Sequence, residues 1–265
     1  MQDLHVVVEG ELGSATPTVL IHGVGSDLLR WDPVVAPLRE VGPVVRYDLR
    51  GHGQSPKPPG PYQLADFVDD HRRLMASLGI NRANVVGLSL GGLIAQSIAL
   101  TDPASVAHLV ILSAVAGRTP RQQEAVLKRL RVVEEGGPAA VADGGERWYT
   151  EKFRTAHPEV VDAHLARFGA NDPAAYAAAF RVLATNDLVD DLHRIDAPTL
   201  IMTGALDVGS PPEMAREMHR RIQGSRLVIV DDIKHSILEE AHAEVAAAIR
   251  EFLVGETAVR SAQER

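Results

Sequence analysis

The stretch from Asn84 to Gly92, which reads NVVGLSLGG, decides the fold of this chain. A short β-branched run leads into a G-x-S-x-G sequence centred on Ser89, and an apolar helical pattern follows. A serine in this setting sits on a sharp strand-to-helix turn that exposes its hydroxyl. Small flanking residues leave room for the turn, and the first N–H groups of the helix favour negative charge beside it. We therefore predict that Ser89 is a nucleophile.

Around this stretch, short apolar runs rich in β-branched residues alternate with helical patterns. Continuous apolar runs are typical of parallel strands that are covered on both faces. The runs are 5–8, 18–22, 44–48, 84–87, 106–112, 198–203 and 226–230. Helical spacing separates most of them, as in 64–78, 90–100 and 244–253. This alternation predicts an α/β fold with a mostly parallel sheet flanked by helices.

The alternation stops between Gly117 and Asp196. The intervening residues are rich in Ala, Arg and Glu, show helical periodicity and contain no convincing strand. We interpret residues 118–195 as a helical cap that is inserted into a core formed by residues 1–117 and 196–265. Within this cap, Trp148 is expected either to face the substrate pocket or to anchor the cap on the core.

A base and an acid are needed to activate the serine, and chain order predicts which residues they are. In this type of sheet they follow later strands, in the order serine, acid, histidine. Asp207 comes just after the apolar run 198–203, and residues 103–123 contain no alternative Asp or Glu. His235 lies in a loop after the last run, whereas the neighbouring C-terminal histidines lie in helical sequence. We predict that His235 takes the serine proton and that Asp207 orients the imidazole.

A second turn is expected to complete the site. Residues 18–25, TVLIHGVG, end a strand in a His22-Gly23 turn. Backbone N–H groups beside such a turn and directly after the nucleophile can bind the oxyanion of an acyl-transfer reaction. We predict that the N–H groups of Val24 and Leu90 do so, and that His22 only supports the turn.

The composition excludes several classes of function. The chain has 265 residues, a formal charge of −8 and no cysteine. It therefore lacks the excess of basic residues that nucleic-acid binding requires, and it has no thiol nucleophile or Cys-based zinc site. No run approaches the roughly 20 apolar residues of a membrane helix, and no H-E-x-x-H motif is present. We expect a cytoplasmic protein without a metal, a cofactor, a membrane contact or a nucleic-acid partner.

Together these segments resemble the α/β-hydrolase superfamily across nearly the whole chain. The resemblance rests on His22-Gly23, YDLRGHGQS at 47–55, GLSLGG at 87–92, Asp207 and His235. It implies the α/β-hydrolase fold with a helical cap, and a Ser-His-Asp triad that forms an acyl-enzyme. Within the superfamily, the chain is most similar to the 3-oxoadipate enol-lactonase group, through residues 91–96, 146–150, 153–154 and 210–212.

The resemblance implies a small-molecule substrate with an ester or lactone bond. A carbon–carbon bond hydrolase of ring-cleavage products and a cofactor-free perhydrolase would share the triad. A small-ligand receptor on the same fold is a further alternative, because fold alone does not settle function.

A substrate that carries a carboxylate is favoured by the enol-lactonase resemblance and by basic residues in the predicted cap. Arginine can pair with a carboxylate through two parallel hydrogen bonds, most strongly in a dry pocket. The basic residues are Arg118, Arg121, Lys128, Arg129, Arg131, Arg147, Lys152 and Arg154. For any single one of them, a solvated helix face is the alternative interpretation.

Overall fold

The computed structural model describes residues 3–263, with side chains up to Gly255, and a seven-stranded sheet lies at its centre. The strands are β1 (Val6–Glu9), β2 (Thr18–Ile21), β3 (Val44–Tyr47), β4 (Ala83–Leu88), β5 (Val106–Leu112), β6 (Thr199–Gly204) and β7 (Arg226–Val230). Their order is β1-β3-β2-β4-β5-β6-β7, and only the β1–β3 pair in this order is antiparallel. The predicted, mostly parallel sheet is confirmed.

Helices cover both faces of this sheet, because alternate strand residues point to opposite sides. Val85 joins one apolar cluster and its neighbour Val86 joins the other. The helices outside the long β5–β6 connection are α1 (Asp32–Arg39), α2 (Leu64–Ser77), α3 (Leu90–Thr101), α8 (Pro212–Arg221), α9 (Ile237–Glu240) and α10 (His242–Gln263). α2 and α3 pack on one face, and α1 packs with α10 on the other. Burial on both faces explains why the strand sequences are continuously apolar.

The connection between β5 and β6 is helical, as the sequence predicts. It contains four helices, which we call the inserted helices: α4 (Pro120–Gly136), α5 (Glu151–Ala156), α6 (Pro158–Gly169) and α7 (Pro173–Thr185). A capping box between Thr119 and Gln122 begins α4. The division of the chain into a core and a cap domain at residues 118 and 195 stays a prediction.

Strand register brings several loops to one edge of the sheet. Ile21 of β2 is paired with Gly87 of β4, so the turn after β2 meets the turn after β4. The N–H of Ser89 donates to the carbonyl of Leu112, at the end of β5. The carboxyl ends of parallel strands thus form a shared rim, which is where open α/β sheets place their ligand sites. Within residues 3–263, we find no helix with both the length and the apolar character that crossing a bilayer requires.

Candidate active site

Ser89 occupies a strained turn between β4 and α3. Its backbone has φ 55° and ψ −113°, in a region that L-residues rarely adopt. A Cβ atom on Gly87 would lie 2.1 Å from the carbonyl oxygen of Gly91, and one on Gly91 would lie 2.0 Å from that of Ile21. Only glycine fits at either position. The G-x-S-x-G sequence is thus a packing requirement of the turn that directs Ser89, which is otherwise buried, toward a cavity.

Asp207 and His235 are in direct contact, although 28 positions separate them in the chain. His235 Nδ1 lies 2.7 Å from Asp207 Oδ2, and the other carboxylate oxygen accepts hydrogen bonds from the N–H groups of Gly209 and Ser210. Burial alone would raise the pKa of Asp207, but the charge of His235 and these three hydrogen bonds hold the pKa below its ordinary value. The carboxylate is therefore ionised and able to orient the imidazole.

Ser89 and His235 line the same cavity. Because Asp207 occupies Nδ1 of His235, Nε2 is the nitrogen that is left to accept a proton from Ser89. The described residues show no hydrogen bond between the Ser89 and His235 side chains. Such contacts are often long before substrate binds and tighten in the complex.

The two predicted oxyanion donors lie on either side of Ser89. Leu90 is the first residue of α3, and the first N–H of a helix has no acceptor within the helix. Val24 lines the cavity, and a Cβ on its neighbour Gly23 would lie 3.2 Å from the Cβ of Ser89. The turn after β2 therefore passes directly against Ser89. Both positions are compatible with the predicted role.

The cavity has a volume of about 340 Å³, within the range of small-ligand sites. Its wall combines loops from the rim of the sheet with side chains from the inserted helices. Trp148 is part of this wall, and its ring lies 4.8 Å from Phe168 and 5.3 Å from His164. The Trp148 carbonyl also accepts a hydrogen bond from the N–H of Ser236, beside His235. Trp148 thus both lines the pocket and ties the inserted segment to the sheet rim.

Three of the eight basic residues considered for substrate binding line the cavity: Arg118, Arg129 and Arg147. The guanidinium of Arg118 is already engaged, because it donates to two backbone carbonyls at 2.7 and 2.9 Å. Arg129 donates to one carbonyl, and within the described residues neither Arg129 nor Arg147 has a carboxylate partner within 4.0 Å. Burial lowers the pKa of Arg129, and the charge of Arg147 lowers it further. Two cations with no carboxylate within 4.0 Å among the described residues therefore lie in the cavity wall, and Asp143 acts on Arg129 only from a longer distance.

A buried polar cluster beside the site was not found by sequence reasoning. Its centre is Arg30, which lies in the chain segment between β2 and α1. The Arg30 side chain is buried and also lines the cavity. The guanidinium contacts Glu239 at 2.6 Å, His164 Nδ1 at 2.7 Å, Ser236 Oγ at 2.9 Å and the Tyr149 hydroxyl at 3.2 Å. The only hint in the sequence is a single charge in the apolar run LLRW at 28–31.

Known proteins resemble this chain over most of its length. Residues 16–242 match the family model described as alpha/beta hydrolase fold. The chain is 29% identical over 246 residues to (E)-2-((N-methylformamido)methylene)succinate hydrolase of Acinetobacter baylyi, and the match covers 92% of each chain. It is 28% identical over 246 residues to 3-oxoadipate enol-lactonase 2 of the same organism, with 91% of each chain covered.

The fold has close counterparts among solved structures. The crystal structure of the enol-lactonase from Burkholderia xenovorans LB400 superimposes with a TM-score of 0.89 at 31% identity, and the match covers 95% of this chain and 96% of that one. The strained turn at Ser89 and the strand order of the sheet indicate the same fold as these similarities. The chain is an enzyme that belongs to the alpha/beta hydrolase fold family, and its relatives include 3-oxoadipate enol-lactonases.

Proposed function

We propose that this enzyme cleaves a small ester or lactone through an acyl-enzyme on Ser89. The observation that carries the proposal is the 2.7 Å contact between His235 and the buried Asp207, at the rim of the cavity that Ser89 also lines. A buried carboxylate that holds one imidazole nitrogen leaves the other as a base of fixed orientation. A serine on a strained turn beside that base is an activated nucleophile.

The reaction would proceed in two stages. Ser89 Oγ attacks the carbonyl carbon while its proton passes to His235 Nε2, and the N–H groups of Val24 and Leu90 bind the oxyanion. His235 returns the proton to the leaving oxygen as the carbon–oxygen bond breaks. For a lactone, that oxygen stays attached to the acyl chain. Water then repeats the sequence and releases a carboxylate from Ser89.

The substrate is proposed to carry a carboxylate. Arg129 and Arg147 support this, because they line the cavity without a carboxylate partner among the described residues. Two relatives act, by their names, on a succinate derivative and on 3-oxoadipate enol-lactone, which are derivatives of dicarboxylic acids. A substrate carboxylate would supply the close counter-ion that these two guanidinium groups lack.

Replacement of the nucleophile tests the proposal. Ser89→Ala should lower kcat/KM for an ester substrate by at least about three orders of magnitude, because the acyl-enzyme cannot form. The melting temperature should not fall, because the Ser89 hydroxyl makes no hydrogen bond to the described residues that alanine would remove. A serine-reactive phosphonate, located by mass spectrometry, should label Ser89 in the native protein.

Ser97→Ala is the matched control, because Ser97 lies on the same helix α3 but does not line the cavity. It should keep both activity and labelling. Substantial activity in Ser89→Ala, or labelling at another residue, would disprove the nucleophile assignment.

A further inference from the structure

His164, on α6, presents a chemically defined nitrogen to the cavity. Its Nδ1 lies 2.7 Å from a guanidinium nitrogen of Arg30 and 2.6 Å from the Tyr149 hydroxyl. A guanidinium can only donate hydrogen bonds, so Nδ1 must accept. The neutral ring therefore carries its proton on Nε2.

The surroundings keep this ring neutral and hold it still. Burial lowers the pKa of His164 well below its ordinary value, and the charge of Arg30 lowers it further. Arg30 is itself fixed by the Glu239 carboxyl group at 2.6 Å and by Ser236 Oγ at 2.9 Å. The Trp148 ring stacks on the imidazole at 5.3 Å, with 27° between the planes. One tautomer in one orientation is thus enforced from several sides.

The remaining nitrogen of His164 has no partner within the protein. Nε2 makes no hydrogen bond to the described residues. It is not completely shielded from solvent, so a ligand in the cavity can reach it. His164 lines the cavity together with Ser89 and His235. When a ligand displaces water from the cavity, the Nε2–H group needs an acceptor on that ligand. A buried N–H group without an acceptor costs free energy of binding.

We propose that His164 determines substrate specificity by donating a hydrogen bond from Nε2 to a substrate oxygen other than the scissile carbonyl. Arg30 and Tyr149 are positioning residues that fix the tautomer. The proposal rests on the function proposed above, because it assumes that an acyl substrate lies between Ser89 and the inserted helices. It names the chemical class of the recognised group, a keto oxygen on the acyl chain.

A pair of esters isolates this contact. The p-nitrophenyl esters of 4-oxopentanoate and of pentanoate differ by one keto group on the same acyl chain. His164→Phe keeps a ring against Trp148 but removes the donor. In this variant, kcat/KM for the keto ester divided by kcat/KM for the pentanoate ester should be about three- to tenfold lower than in wild type. Any loss that is common to both esters cancels in this ratio. His193→Phe, at an exposed position outside the cavity wall, should keep the wild-type ratio.

A measurement on the wild-type protein covers the possibility that His164→Phe does not fold. In protein labelled with ¹⁵N-histidine, the His164 ring should show its proton on Nε2, and the assignment comes from the signal lost in His164→Gln. Free 4-oxopentanoate should shift that Nε2–H signal more than pentanoate does. A proton on Nδ1, equal shifts by both acids, or an unchanged kinetic ratio in folded His164→Phe would overturn the proposal. If the wild type hydrolyses neither ester, the ester-hydrolase function fails instead, and the titration alone decides the role of His164.

Discussion

Asp207 shows how its neighbours prepare a single residue for the role that we propose for it. Its side chain is almost completely buried, yet its pKa lies below the ordinary value, because His235 and two backbone N–H groups outweigh the effect of burial. An ionised carboxylate in this position selects the imidazole tautomer with the proton on Nδ1. An amide at the same position would favour the other tautomer.

Asp207→Asn should therefore lower kcat by about 10³- to 10⁴-fold while the protein remains folded. Steady-state kinetics and thermal unfolding of the purified variant measure the two effects. Asp190→Asn is the control, because Asp190 is exposed and precedes β6 instead of following it. A near-normal rate in Asp207→Asn would show that another carboxylate orients the base.

Gly91 is a residue whose role is steric. A Cβ atom there would overlap the backbone carbonyl of Ile21, which cannot move without breaking the β2–β4 pairing. Gly91→Ala should lower the free energy of unfolding by more than about 3 kcal/mol, or prevent folding. Gly169→Ala is the control, since nothing lies within 4 Å of the added methyl group, and it should change stability by less than about 1 kcal/mol. Urea unfolding compares the two, and equal stabilities would contradict the steric argument.

At the scale of elements, the loop after β7 is tied to the segment before α5. The Ser236 N–H donates to the Trp148 carbonyl at 3.0 Å, and the Lys234 ammonium donates to the Glu146 carbonyl at 2.6 Å. The Thr150 N–H and hydroxyl both donate to the Glu240 carboxylate. The loop that carries the proposed base, His235, is thus held by the same segment that forms one wall of the pocket.

Glu239, on α9 in the same region, makes stability depend on pH. Burial raises the pKa of its carboxyl to about 7, although Arg30 acts in the opposite direction. The pKa of a glutamate in an unfolded chain is about 4.3. The folded state therefore holds the Glu239 proton more tightly than the unfolded state does. This contribution to the free energy of unfolding is complete below that pH and is lost as pH rises to about 7. The unfolding free energy of wild type minus that of Glu239→Gln should therefore fall between pH of about 4.5 and 7, and then level off.

Urea unfolding of both proteins across this pH range measures the difference. The exposed Glu244→Gln, on α10, controls for the removal of one acidic charge. A difference that grows or stays level over this pH range would show that Arg30 holds Glu239 ionised throughout it.

At the scale of the whole molecule, local and global charge oppose each other. The chain has a formal charge of −8, which repels an anionic substrate at long range. The cavity wall nevertheless carries Arg129 and Arg147 without carboxylate partners among the described residues. Binding of a carboxylate must therefore rely on these close contacts.

Arg147→Met should lower the preference for an ester with a free carboxylate over its neutral methyl ester by about tenfold, because one charge-assisted hydrogen bond is lost. The ratio of kcat/KM values for the two compounds, at low and high salt, measures the effect. Arg131→Met removes the same charge from an exposed position of α4 and should leave the ratio unchanged. If wild type uses the neutral ester equally well or better, a general short-chain carboxylesterase becomes the better description.

The sequence by itself was sufficient for the seven strands and for the order of the candidate triad. The apolar runs, the serine turn, Asp207 after β6 and His235 after β7 all follow from local patterns along the chain. Such patterns are readable because strand burial, helix periodicity and tight turns constrain residues that are close in sequence. The strand ends were less exact, since β6 begins at Thr199 and not at Pro198.

Only the tertiary structure decided which side chains surround the candidate triad. Arg30 meets His164 across 134 positions and Ser236 across 206, and no local pattern encodes either contact. The structure also separated Arg147, which lines the cavity, from Arg131, which does not. The physical reason is that a buried polar contact depends on how helices pack over the sheet rim, and that packing joins residues whose spacing in sequence carries no periodic signal.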